Sequence, residues 1–374
     1  MRGEIDSRLA LHRQKRGLSA ARLAEMVGVS RQTIYAMEAG DYMPNTALAL
    51  RLARVLEERV EDLFALSGDA PAPELPGMEA TLLAGADAPH PGQPVQLCRV
   101  DGRLVASPPS PMPWYFPAGD AVVAARPRTG GKANVRLLNV GQDFAKRILV
   151  AGCDPAISVL SRHLHRAGIE LVLAHRNSSQ ALSLLAEGRI HIAGTHLRDA
   201  STGESNLPEI GRRFTRRSVA VISYAVWEEG IVTAWRNPKG IRGVEDFARS
   251  GVRMVNREAG AGSRQLLDAE LARLGVNSRA VRGYQDEARG HLAAAWQVLS
   301  GAADCCIATR AAARVLGLGF IPLVSERYDL AIRRRHLELP GIQALLDVLS
   351  RTDFRRELEG LGGYDTSAAG RRML

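Results

Sequence analysis

The sequence predicts a multidomain chain: an all-α N-terminal domain, a small β-rich module, and a two-lobed α/β domain over the remainder. Three observations predict it. Apolar residues recur at helical spacing up to about residue 66, interrupted by short capped turns. An alternating stretch follows around Asp101-Gly102. From Arg147 onward, short apolar strands alternate with helical segments, the pattern of a parallel sheet with crossover helices.

The 374 residues suffice for two or three domains, and 46% hydrophobic content supports well-formed cores. No run approaches the roughly 20 apolar residues of a membrane helix, and Met-Arg-Gly-Glu-Ile-Asp lacks the apolar core of a secretion signal. A cytosolic protein with no membrane partner is expected. The net charge of +9 favours a polyanionic partner, but residues 1–54 hold only nine Lys or Arg against five Asp or Glu. The excess is spread along the chain, so a nucleic-acid reading must rest on a motif. Cys98, Cys153, Cys305 and Cys306 form no Cys-x-x-Cys pair and no zinc spacing, so buried thiols are expected and no cofactor.

The first domain is expected over 1–68. Ser19 is placed to cap a helix with Leu23, Ala24 and Val27 on its apolar face. Gly28 stands where the chain turns, and Ser30 caps a second helix presenting Ile34 and Met37 to the core. Two capped helices around a glycine turn form a helix-turn-helix, whose second helix enters the major groove. Leu23-Ala24, Gly28-Val29-Ser30, Ile34, Glu38, Gly40 and Pro44, with Leu48, Leu52, Leu56 and Leu63 behind them, resemble the lambda-repressor-like (Cro/C1, XRE) family across residues 5 to 66. That resemblance implies a double-stranded DNA operator, bound by a homodimer on a pseudo-palindrome. Ser30, Arg31, Gln32, Thr33 and Tyr35, at the start of the second helix, are the candidate DNA-binding residues.

Residues 69–146 are expected to form a linker and a small β module. Prolines at 71, 73, 76, 89, 91 and 94 favour extended chain, with a short helix allowed at Met78 to Leu83. Val95 to Val100 and Arg103 to Ala106 flank Asp101-Gly102 as a hairpin. A proline-rich loop (Pro108 to Pro117) and strands at Asp120 to Ala125 and Val135 to Val140 follow.

The third domain spans 147–374. Strands are expected at Ile148 to Ala151, Glu170 to Leu173 and Ile190 to Gly194, with helices from Pro155 and from Ser178 or Ser179. A second cycle begins at Val252 to Asn256, with helices over 263–274 and 288–299 and a strand at Ala303 to Ala308. The phrases Gly152-Cys153-Asp154-Pro155, His191-Ile192-Ala193-Gly194-Thr195-His196, Val255-Asn256-Arg257-Glu258-Ala259-Gly260-Ala261-Gly262-Ser263-Arg264, Tyr328-Asp329-Leu330 and Gly363-Tyr364-Asp365 are similar to type II periplasmic-binding-protein-like domains fused to helix-turn-helix units. The wider fold includes molybdate-binding proteins. The resemblance therefore implies a small ligand held between lobes, with an oxyanion such as molybdate as the first expectation.

Two strand-to-helix turns carry the candidate ligand-binding residues. Gly260 and Gly262 let backbone approach a ligand, Ser263 adds a hydroxyl, and Arg264 a positive charge. Ser178 and Ser179 stand at the equivalent turn of the first cycle, where capping alone is the competing role. Asp154, a carboxylate at a helix start, stands where an anion would otherwise go. Gly290 replaces a threonine usual in the family, which weighs against carrying a role over to His291. His191 and His196 have no carboxylate at ligand spacing, and His163 and His165 diverge on a helix, so no metal is expected. No catalytic signature stands out, so no enzyme is expected. The alternatives are an enzyme of molybdenum-cofactor metabolism with an autoregulatory helix-turn-helix, or a constitutive repressor whose last domain only dimerises.

Overall fold

A computed structural model describes residues 5–66, 77–83, 89–109, 118–125, 131–139, 143–199 and 201–374. Most of the expected linker (67–76 and 84–88), most of the proline-rich loop (110–117) and Val140 lie outside the described residues. Two compact units result, one of residues 1–78 and 135–143, built on the N-terminal helices, and the other of 79–134 and 144–374, which holds most of the β module and the α/β domain.

The first unit runs β1 (Ile5–Ser7), α1 (Leu9–Lys15), α2 (Ala20–Val27), α3 (Arg31–Ala39), α4 (Thr46–Leu56), α5 (Val60–Leu63) and β2 (Phe64–Leu66). β1 pairs antiparallel with β2 and so ties the two ends of the unit together. Leu9, Leu23, Val27, Ile34, Met37, Leu52, Leu56 and Leu63 are fully buried in one cluster, as the helical periodicity requires. Ser19 accepts from the Arg22 amide and Ser30 from the Thr33 amide, and Gly28 adopts the left-handed conformation (φ 73°) expected of the turn.

The β module comprises β3 (Gly77–Leu82), β4 (Pro94–Val100), β5 (Arg103–Ser107), β6 (Ala121–Val123) and β7 (Lys132–Leu137), which close into a small barrel in the order β3-β5-β4-β6-β7. The Asp101-Gly102 hairpin forms as expected. The helix allowed at Met78 to Leu83 does not: this stretch is β3, paired parallel to β5. Its apolar residues at Ala80 and Leu82 alternate with Glu79 and Thr81, a period of two that fits a barrel wall and not a helix face. The module is fastened to the α/β domain by polar contacts, those of Arg147 buried. Arg147 donates to the Leu97 carbonyl at 2.8 Å and pairs with Asp120, while Asp101 bonds Arg335 and His336.

The α/β domain continues with β8 (Arg147–Gly152), α6 (Ile157–Arg166), β9 (Glu170–His175), α7 (Ser178–Ala186), β10 (Ile192–Thr195), α8 (Leu207–Arg213) and β11 (Val219–Thr233). β12 (Met254–Arg257), α9 (Gly262–Arg273), β13 (Glu287–Ala288), α10 (His291–Leu299), β14 (Cys305–Thr309) and α11 (Arg310–Val315) form the second cycle. The chain returns through β15 (Gly319–Arg333), α12 (Pro340–Ser350), α13 (Thr352–Gly360) and β16 (Tyr364–Asp365). The strand order β13-β12-β14-β11-β15-β10-β8-β9 resolves into two lobes sharing β11 and β15. Both shared strands are 15 residues long and run antiparallel to each other, the first half of one beside the second half of the other. They are the connection about which the lobes meet. The helix expected from Ser178 or Ser179 is capped by Asn177, which accepts from the Gln180 amide in a reciprocal capping box.

Candidate functional site

On the first unit, α3 offers the candidate DNA-facing residues. Ser30, Arg31, Gln32 and Tyr35 are exposed and Thr33 is half-buried. The Arg31 guanidinium donates to the Tyr35 hydroxyl at 2.9 and 3.2 Å and lies over its ring. Ser30 and Thr33 share a hydroxyl hydrogen bond of 2.9 Å, so both serve the helix start. Glu38, at the far end of α3, forms a two-point ion pair with Arg13 of α1, at 2.5 and 3.1 Å. Arg13 also donates to the Leu18 carbonyl, so this pair fixes α3 against the rest of the unit.

In the α/β domain the chain ends of both lobes and the two shared strands converge on one buried polar cluster. Cys153 follows β8 and His196 follows β10 in the first lobe; His291 begins α10 in the second; Glu229 and Glu326 sit on β11 and β15. All five are buried. Cys153 Sγ lies 3.3 Å from His196 Nε2 and 3.8 Å from His291 Nε2. His196 Nδ1 is 2.9 Å from Glu326 and 3.5 Å from Glu229, whose other oxygen is 3.8 Å from His291 Nδ1. Trp227 closes the cluster, its ring 4.8 Å from that of His196 and 5.3 Å from that of His291.

Strand geometry explains the convergence. Trp227 and Glu229 are two apart on β11, and Glu326 and Tyr328 two apart on β15, with Trp227 directly opposite Glu326. All four therefore share one sheet face. A register shift at Glu229/Gly230 re-aims the strand there. Tyr328 reaches between the ends of β8 and β10 because both carry glycine: a Cβ at Gly152 or Gly194 would collide with its hydroxyl.

The environment sets the charges. Burial opposes ionisation of His196, but Cys153, Glu229 and Glu326 outweigh it and hold the imidazole well above its usual value. Burial, helped by Arg257, pushes His291 well below. Burial and the neighbouring Glu229 raise Glu326 to about 7, whereas Glu229 stays ionised against its burial because His196 faces it.

The lobes touch across this cluster. Asn177 Nδ2 donates to the Ala259 carbonyl at 3.1 Å, and the Ser179 amide lies 3.4 Å from the Gly260 carbonyl. Cβ atoms at Gly262 and Gly290 would collide with His196 and His175, respectively. A cavity of 890 Å³ bounded by Ser179, Asp199, Arg212, Gly262 and Gln265 reaches Glu326, the edge of the cluster.

Of the residues expected to bind ligand, Ser178 and Ser263 are buried beside the cluster. Ser178 Oγ accepts from the His196 amide, and Ser263 donates to Glu229. Gly260, Gly262 and Ser179 lie on the contact between lobes. Arg264 points elsewhere: it donates to Glu287 and to the Arg257 carbonyl and stacks on Tyr284. Asp154 also turns away, accepting from Tyr364 at 2.6 Å and from the Ala156 amide. Sequence reasoning missed Cys153, Glu229, Glu326 and His291. No carboxylate stands at ligand spacing from His196 in the sequence, and its acidic partners come instead from strands 33 and 130 residues away. The Gly290 departure does not remove His291. It supplies the positive φ (98°) and the close approach to His175 that seat the ring.

Comparison with known proteins gives two family matches, a "PBP superfamily domain" over residues 161–350 and a "Helix-turn-helix" over residues 9–63. The uncharacterized protein YvgK of Bacillus subtilis (strain 168) is 34% identical over 251 residues, covering 67% of this chain and 81% of its own. An uncharacterized HTH-type transcriptional regulator of Methanothermobacter thermautotrophicus is 52% identical over 59 residues, 16% of this chain and 86% of its own. Among solved structures, the sulfate-binding protein SubI from Mycobacterium tuberculosis H37Rv is 14% identical, covering 58% of this chain and 86% of its own, with a TM-score of 0.45.

Proposed function

The chain belongs to the PBP superfamily domain family and joins that domain to a helix-turn-helix, and from this premise we propose that it is a ligand-responsive, DNA-binding transcriptional regulator. α3 reads a double-stranded operator through Arg31, Gln32 and Thr33, flanked by Ser30 and Tyr35. A cytoplasmic homodimer binds two half-sites about one helical turn, or a multiple, apart. The domain of two lobes senses a small ligand without turning it over. The observation that carries this reading is the buried cluster itself: polar side chains from both lobes and from both shared strands meet at one point. A ligand that touches both lobes at once favours the closed form, and that differential affinity is what drives a switch.

An oxyanion is the second reading of the ligand, held by Ser178, Ser179, Ser263 and the backbone at Gly260 and Gly262. In its favour, no side chain caps the first turn of α9, which faces the first lobe. Against it stand Glu229 and Glu326, two buried carboxylates at the centre, and the outward pairing of Arg264.

The test starts from operator selection out of random duplex DNA with the full chain, followed by affinity measurements at fixed salt. Molybdate, tungstate, sulfate, phosphate and divalent metals are then added one at a time. The reading requires a two-half-site operator whose affinity at least one of these ligands changes. Binding with no sequence preference, or a preferred operator indifferent to every ligand, overturns it.

A further inference from the structure

The three side chains at the centre of the cluster form the donor set of a transition-metal site. Cys153 Sγ, His196 Nε2 and His291 Nε2 lie within 4.8 Å of one another, with sulfur-to-nitrogen separations of 3.3 and 3.8 Å. A tetrahedral ion with metal–sulfur of about 2.3 Å and metal–nitrogen of about 2.0–2.1 Å sets sulfur and nitrogen about 3.5 Å apart. The two separations bracket that value.

The surroundings match as well. Each imidazole turns its Nε2 to the thiol and its Nδ1 to a carboxylate: His196 to Glu326 and Glu229, His291 to Glu229. Carboxylates behind metal-bound imidazoles fix the ring and raise its basicity. His291 Nδ1 and Glu229 Oε2 are buried with no hydrogen-bond partner, on the side of the rings away from the thiol, so a small rotation of the His291 ring would complete its contact with Glu229. A cation that takes the place of the His196 Nε2 proton keeps a positive charge opposite Glu229 and Glu326, whereas an added anion would face them. A thiolate and two imidazoles select a borderline or soft ion over Mg²⁺ or Ca²⁺, which prefer oxygen.

We propose that Cys153, His196 and His291 bind one thiolate- and imidazole-seeking transition-metal ion of the Zn²⁺ or Cu⁺ class, bridging the two lobes, with Glu229 and Glu326 positioning the imidazoles. Three protein ligands leave one position for a further donor. The proposal names the ligand class of the sensing domain and rests on the regulatory reading for its consequence, closure of the lobes.

The experiment titrates full-length, chelator-stripped protein with Co²⁺ as spectroscopic probe, then displaces it with Zn²⁺. The expected result is one Co²⁺ per chain, a thiolate-to-cobalt charge-transfer absorption, and quenching of Trp227 emission, since its ring adjoins both imidazoles. Cys153→Ser should abolish the charge-transfer absorption and weaken Zn²⁺ binding more than about 100-fold. Glu326→Gln should retain the absorption and weaken binding roughly 10- to 100-fold, as loss of a second-layer carboxylate does. Thermal unfolding of each metal-free variant separates a lost site from a lost fold, and His291→Gln takes the place of Cys153→Ser if that variant does not fold. Co²⁺ binding without the thiolate absorption, or Cys153→Ser binding with wild-type affinity, overturns the site. Zn²⁺ binding that leaves operator affinity unchanged keeps the site and overturns the regulatory reading. An operator that responds to an oxyanion while Zn²⁺ does not bind does the reverse.

Discussion

Gly152 precedes Cys153, and its missing side chain has a measurable consequence. A Cβ there would stand well inside 3.0 Å of the Tyr328 hydroxyl, while its next neighbours, Gly194 Cα and N, lie at ordinary distances of 3.5 and 3.7 Å. The clash is thus with one atom. Relief needs a shift on the order of 1 Å to reach normal van der Waals separation. Tyr328 has nowhere to retreat, being fully buried with its ring 4.6 Å from that of Trp227. Gly152→Ala should therefore destabilise the domain by about 1–3 kcal/mol, the usual cost of overpacking. Tyr328→Phe removes the offending oxygen and strands its hydrogen-bonding partners, costing a similar about 1–3 kcal/mol. In the double variant the new methyl fills the space the oxygen vacates. It should be no less stable than Tyr328→Phe alone, a favourable coupling of about 1–3 kcal/mol. Urea unfolding followed by tryptophan emission reports this domain selectively, since the first tryptophan is Trp114 and the helix-turn-helix has none. Costs that add to within about 0.5 kcal/mol would show that the glycine is not there for Tyr328.

Gln32→Ala should lose about 1–3 kcal/mol of discrimination at one base pair of a selected operator, measured by competition binding, and Arg31→Ala should do the same at another. Unchanged affinity in both would move the recognition surface off α3. Gly262→Ala places a Cβ 2.5 Å from His196 Nδ1, across the contact between lobes. It should weaken any ligand that needs closure roughly 5- to 150-fold, the effect of about 1–3 kcal/mol, in calorimetric titration. Gly211→Ala, with open space around it, is the control that should not. Burial, reinforced by His336, lowers His191 to about 4, while its Nδ1 accepts from the Leu149 amide. The folded state thus favours the neutral ring. Its contribution is present above the unfolded value of about 6.5 and is lost as pH falls from there to about 4, up to about 3 kcal/mol in all. His191→Asn, which keeps an acceptor near Nδ1, should flatten the pH dependence of unfolding in that window. An unaltered slope would assign the acid sensitivity elsewhere.

The helix-turn-helix was legible because everything that defines it is local. Ser19 and Ser30 accept from amides three residues on, Gly28 donates to the Ala24 carbonyl as it turns the chain, and the apolar stripe repeats every three or four. Short-range periodicity also located β8, β9, α9 and β14 to within a few residues. It failed where tertiary context decides. Met78 to Leu83 is strand because the barrel needs a wall there. Asn177, not the adjacent serines, caps α7 in a capping box with Gln180, and its side-chain amide also reaches Ala259 in the other lobe. Neither of the two 15-residue strands that join the lobes is among the strands the sequence predicts, since β11 is buried almost throughout and shows little alternation. That omission hid the cluster, two of whose members lie on those strands. One signal was available. In Trp227-Glu228-Glu229 and Glu326-Arg327-Tyr328, an aromatic residue and an acid stand two apart, which on a strand share a face. A carboxylate buried beside aromatics needs a cationic partner.

The contacts between lobes bear on how strong a ligand signal has to be. Asn177 to Ala259 and Ser179 to Gly260 are made by protein alone, at the rim of the cluster and not at its centre. Each adds on the order of 1 kcal/mol to the closed form whether or not a ligand is present. A ligand therefore does not assemble the closed form from nothing. It tips an equilibrium that the rim already biases, and its own affinity is reduced only by the fraction of molecules that are open. Binding and closure are then coupled through residues that never touch the ligand. The same reasoning explains the glycines at 260, 262 and 290. Each sits where the two lobes meet: a Cβ at 262 or 290 would collide with the facing lobe, and one at 260 would crowd Ser179 and Asn177. On the proposed site, an ion would add at the centre the contact the rim cannot make, a bridge from Cys153 and His196 on one lobe to His291 on the other.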